Sequence, residues 1–141
     1  MKHALSSHDQ RFRAQFEAGH LPLADFSHRA HIRLAYAYLA EHDYDTALTL
    51  MRSALQAFLH RHGVDPSKYH ETMTGAWLAT VQHVMAHTPT CHSAAAFIAA
   101  RPTLLDAGLL MKYYTPECLF SQAAREQFVE PNLERFPWSG A

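Results

Sequence analysis

His28, His31 and His70 are the residues of this chain whose type and spacing suit chemistry. Wound as a helix at about 100° per residue, Tyr69 to Met85 places Tyr69, Met73, Trp77, Val81 and Val84 in one apolar stripe, and His70 falls along its centre. An earlier segment repeats the pattern. There His28 and His31 flank a stripe of Ile32, Leu34, Ala35, Tyr38 and Leu39, while Arg29 and Arg33 take the opposite side. Imidazoles directed at a core need partners, because an unsatisfied buried polar group costs about 1–3 kcal/mol. A shared metal ion, or a small polar ligand, serves all three at once.

His28 and His31 stand three residues apart, so their rings project from adjacent turns of one face and can reach a single ion. A set of three nitrogens leaves positions open for water, dioxygen or a substrate. The expected cofactor is a divalent transition metal (Zn, Fe or Cu), with oxidative chemistry for iron or copper and hydrolysis or hydration for zinc-bound water. The pattern departs from the helical di-metal carboxylate proteins, which combine Glu with His. It also lacks H-E-x-x-H, because Thr74 stands where the second histidine would be.

Glu71, about 100° round from His70, is the candidate catalytic base; its plain alternative is a solvated first-turn acid that favours the helix dipole. Thr74, Tyr113 and Arg125 are the candidate substrate-pocket residues. Thr74 offers a hydroxyl that orients a ligand or bonds back to its own helix. Tyr113 belongs to the polar-aromatic cluster Lys112 to Tyr114, and Arg125 offers an anion contact, with packing and snorkelling as the competing account. For His28 and His31 the plain alternative is a first-turn residue hydrogen-bonded to a carbonyl or partly exposed, and for His70 a core histidine donating to a backbone carbonyl or a tyrosine hydroxyl. His62 is a reserve ligand, better explained by the helix end it occupies. His3, His8, His20, His42, His60, His83 and His87 read as surface-facing or terminal, and Cys91-His92 lacks two further ligands.

The elements that position these residues are helical. Residues 1–22 read as an accessory leader with one short helix around Gln10 to Glu17, broken at Pro22. Asp25 or Ser27 caps a helix to about Ala40, and Asp43 caps a second over Tyr44 to His62 that Gly63 ends in the left-handed conformation. Asp65-Pro66 opens a third helix to about His87. Shorter pieces follow over Ser93 to Ala100, Thr103 to Tyr113, and Pro116 to Phe128 with a restart at Ser121. Residues 131–141 form an irregular tail. No strand pattern of useful length occurs, so the fold class is all-α: a single-domain helical bundle over 1–141 with three longer helices and several short C-terminal ones.

Phe26-Ser27-His28-Arg29-Ala30-His31 followed by Lys68-Tyr69-His70-Glu71-Thr72-Met73-Thr74 and Trp77, with a tail of Leu119-Phe120-Ser121, Ala124-Arg125 and Val129-Glu130-Pro131, resembles a family of small, mostly uncharacterised bacterial helical proteins. These pair an F-x-H-x-x-H segment with a Y-H-E-T-x-T segment. The likeness spans most of the chain from Phe26 onward. It implies that the motifs belong together and implies little about reaction.

Composition narrows the function classes. With 141 residues and 48% hydrophobic content, the chain can bury a core without disulfides. Its formal charge of -1 comes without a basic stripe, which argues against nucleic acid as a partner. Neither a signal-length apolar run nor a membrane span is apparent, and two isolated cysteines suit a reducing compartment, so a soluble cytoplasmic protein is expected. Its 12 histidines predict destabilisation in acid.

The favoured reading is a small metal-dependent enzyme, an oxygenase or hydrolase, acting on a small organic molecule through His28, His31 and His70; a homodimer is compatible with it. The alternative is a non-enzymatic helical module for a ligand or protein partner, with hydrogen-bonded buried histidines. A third is a histidine switch responding to pH.

Overall fold

Side-chain caps set where the helices begin. The computed structural model describes residues 2–138 and contains α1 (Ser7–Glu17), α2 (His28–Leu39), α3 (Tyr44–Arg61), α4 (Glu71–Ala86), α5 (Ala94–Ala100), α6 (Pro116–Leu119) and α7 (Gln122–Glu126). Ser27 caps α2 through Ala30 N–H, Asp43 caps α3 through Thr46 N–H, and Ser121 restarts the chain as the cap of α7. Gly63, at φ +67°, follows the end of α3 in the left-handed conformation expected of it. The described residues contain no strand, and the architecture is the all-α bundle expected from the pattern.

The central element is α2. It packs against α1, α3, α4 and α5, and Ile32, Leu34, Ala35, Tyr36 and Ala37 are all fully buried, so the helix is apolar on more than the single stripe of the periodicity reading. Burying such side chains is worth roughly 1.5–3 kcal/mol for each large one. On the arginine side of α2, Arg29 is exposed while Arg33 Nε donates at 3.2 Å to Asp9, a carboxylate only 2% exposed. Asp9 closes a capping box with Ser6 at the start of α1 and also accepts the Ala94 N–H at the start of α5. Burial raises its pKa, but the hydrogen bonds from Ala94, Ser6 and Arg33 outweigh this and leave it lowered.

Three boundaries differ from the sequence reading. The leader helix begins at Ser7 rather than Gln10, because the Ser6–Asp9 capping box starts it early. The helix expected from Pro66 is a single 3-10 turn (Pro66–Lys68), after which Tyr69 and His70 are extended and α4 starts at Glu71. The Asp65 carboxylate accepts the Ser67 N–H, which closes a tight turn instead of opening an α-helix. The piece expected over Thr103 to Tyr113 is two 3-10 turns (Pro102–Leu105 and Leu109–Lys112), parted where Asp106 accepts the Gly108 N–H. The tail straps back as expected: Leu133 N–H donates to Tyr113 O at 2.9 Å, and Phe136 is buried beside Tyr113. Positions 139–141 of that tail lie outside the described residues. No helix among the described residues is long and apolar enough to cross a membrane.

Candidate functional site

A cavity of about 290 Å³ opens between the start of α2, the last turns of α3, and the start of α4. His28, His31 and His70 all line it, together with Ser27, Lys68, Tyr69 and Thr74 and the apolar walls Phe26, Leu55, Phe58, Leu59 and Met73. The two histidine segments are therefore brought together, but the three rings are used differently.

His70 does not sit mid-helix. It is the N-cap of α4, with φ -131° and ψ 102°, and its Nδ1 accepts the Met73 N–H at 3.1 Å. Its Nε2–H donates to Leu119 O at 2.6 Å, tying α6 to the cavity wall. Both nitrogens are thus committed, and the accepting Nδ1 fixes the neutral Nε2–H tautomer. Burial lowers its pKa, with the Arg125 charge adding to this and the Leu119 carbonyl opposing it. His28 makes a similar tie, with Nε2 at 2.9 Å from Leu104 O, and its ring lies edge-on to Trp77 at 4.7 Å.

His31 is the exception. Among the described residues its ring has no hydrogen-bond partner; it stands 6.4 Å from the His28 ring and 6.0 Å edge-on from Phe26. Burial, reinforced by His28, holds its pKa down to about 4, so the ring is neutral at physiological pH. Among the described residues the buried side-chain polar atom without a partner is Thr90 Oγ1; the nitrogens of His31 remain open to the cavity.

The three-histidine metal centre expected from the sequence is not assembled. Among the described residues no three His, Cys, Asp or Glu side chains are placed to hold an ion, and both ring nitrogens of His70 are engaged in hydrogen bonds. A Zn, Fe or Cu ion would have to displace the cap of α4 and the Leu119 bond. The residues present do not fit that group.

Glu71 lies outside the cavity. It receives two hydrogen bonds from Arg52, at 2.9 and 2.6 Å, and one from the Tyr69 hydroxyl at 2.6 Å. The Arg52 bonds hold its pKa below the usual carboxylate range, which makes it a weak base engaged by Arg52 and Tyr69. Arg125 borders the same adjoining hollow of about 520 Å³ as Glu71 and reaches Lys68 O at 3.5 Å. Tyr113 is buried against Phe136 and lines no part of the cavity. Thr74 does line it, but its hydroxyl donates to His70 O at 2.8 Å, the back-bonded alternative.

Other histidines follow the carbonyl-bonding habit. His62 reaches Leu21 O at 3.0 Å. His3, expected at the surface, is partly buried, with Nε2 at 2.8 Å from Met85 O and Nδ1 accepting the Cys91 N–H at 3.1 Å. The residues that sequence reasoning left out are Lys68 and the aromatic walls Phe26 and Phe58. Lys68 and Phe26 both stand in the paired motifs, which was the available signal.

No protein family, curated protein or solved structure matches the chain.

Proposed function

We propose that this protein binds a small organic molecule in the cavity between α2, α3 and α4, without a metal ion. The observation that carries the reading is His31. A neutral imidazole with no protein partner, on the wall of a cavity whose apolar lining is Phe26, Leu55, Phe58, Leu59 and Met73, offers one donor and one acceptor to an occupant. The volume of about 290 Å³ lies at the small end of ligand pockets and suits a molecule of one or two rings. His28 and His70 support the site by fixing its walls to the segments at Leu104 and Leu119. The metal-dependent enzyme reading asks of His70 a lone pair that its two hydrogen bonds already use, and asks of Glu71 a basicity that Arg52 removes.

A fragment screen followed by NMR tests this. Aromatic fragments are expected to shift the His31 ring and Met73 methyl resonances together, with one-to-one stoichiometry, and a Leu59→Trp change that fills the cavity is expected to abolish the shifts. Fragments that bind with neither resonance moving, or a complete absence of hits, would overturn the reading.

A further inference from the structure

We infer that the occupant of this cavity is an anion, a flat apolar molecule carrying a carboxylate, with the acid held at Lys68 and the ring packed against the wall formed by Phe26, Phe58 and Met73. The inference rests on the binding reading above and adds the ligand's chemical class. No Asp or Glu side chain lines the cavity, and Lys68 does. Lys68 is exposed, and its ammonium makes no ion pair among the described residues. Asp65, which accepts the Ser67 N–H, lies close enough for the Lys68 charge to help lower its pKa but forms no ion pair with it, and Glu71 is held by Arg52. A cationic ligand would meet a like charge in the lining itself, whereas a carboxylate meets a counter-ion that makes no direct ion pair.

Two further features act in the same direction. The first turn of α2, from its cap Ser27 through His31, and the first turn of α4, from its cap His70 through Met73 and Thr74, both line the cavity. The positive ends of two helix dipoles therefore border the same space. His31 completes the recognition. As a neutral ring it donates one N–H to a carboxylate oxygen, or accepts from a ligand hydroxyl, without requiring a proton from solvent. Lys68 is a point charge on a flexible stem at the rim, so the acid end of the ligand stays near water while the ring enters first.

The test uses three probes of one shape on the full chain at neutral pH: naphthoate, its amide, and naphthylmethylamine, with affinity measured by titration calorimetry. Naphthoate is expected to bind about tenfold more tightly than the amide, from one partly solvated ion pair and the two helix ends, and the amine is expected to bind weakest. Lys68→Met is expected to erase most of the acid preference, bringing acid and amide to similar affinities; Lys68→Arg is expected to keep it. Equal affinity for acid and amide, or a preference for the amine, overturns the carboxylate assignment while leaving the pocket itself in place. An acid preference that survives Lys68→Met removes Lys68 from the recognition. Failure of all three probes to bind removes the pocket reading and this inference together.

Discussion

Replacing His31 with Gln should make the protein markedly less sensitive to acid. His31 is held at about 4 in the folded chain against an ordinary value of 6.5, because burial, aided by the neighbouring His28, disfavours the charged ring. The unfolded chain takes up this proton as pH falls through 6.5, and the folded chain resists until about 4. Stability linked to His31 is thus intact above about pH 6.5, declines as pH falls between these two values, and changes no further below about 4. Fully expressed, the gap corresponds to roughly 3 kcal/mol. The cavity admits water and the ring is only partly buried, so about 2 kcal/mol is expected at about pH 4.5. The assay is urea unfolding followed by circular dichroism at about pH 7.5 and pH 4.5, for the parent chain and for His31→Gln, which keeps hydrogen-bonding capacity but cannot titrate. His28, His70 and Lys68, which share the cavity with His31, are present in both proteins. The parent should lose about 2 kcal/mol more than the variant across that interval. Equal losses in the two proteins would refute the claim that His31 is held neutral by its surroundings.

The remaining predictions concern the supports of the cavity. His70→Ala should cost about 2–3 kcal/mol by removing both the α4 cap and the Leu119 bond. His70→Asn should recover about 1 kcal/mol, since Asn caps a helix but is too short to span to Leu119; thermal melts of the three proteins check this. Asp9→Asn should destabilise by about 2–4 kcal/mol, because an amide cannot accept from Ser6, Ala94 and Arg33 together. The parent should lose that contribution as pH falls through the lowered pKa of Asp9, which acid titration of the melting temperature would show. Glu71→Gln should weaken the Arg52 clamp, with a stability loss of about 1–2 kcal/mol, and leave fragment affinity in the histidine cavity unchanged; a large affinity loss would return Glu71 to the site. Zinc affinity measured by equilibrium dialysis on untagged protein should be unaffected by His70→Ala, and a loss there would revive the metal centre.

Fold class and the grouping of the two histidine motifs were legible in the chain because helical periodicity and capping residues are local signals. Ser27, Asp43, Gly63 and Ser121 all act where their types say they should. The role of His70 was not legible, for a reason also rooted in local geometry. Asp65-Pro66 matches the opening of an α-helix, and nothing in the sequence says that the turn closes after Lys68 and that the helix restarts one residue past the histidine. That displacement moves His70 from a core stripe to a cap. Its second partner, Leu119 O, lies 49 residues away and the partner of His28 lies 76 away; backbone acceptors at such separations leave no mark on side-chain patterns. The Arg52 partner of Glu71 was not legible for the same reason, since it belongs to another helix.

The bonds from His28 to Leu104 and from His70 to Leu119 also impose an order of assembly. Each links the four-helix body to a short C-terminal piece that buries too little to persist by itself, and contacts spanning this much chain form late because loop closure must precede them. A nascent chain that has emerged only as far as α4 has its caps and its central helix but neither anchor. The residues that line the cavity all lie between Phe26 and Thr74, so these later segments support its walls from outside, through the two histidine bonds.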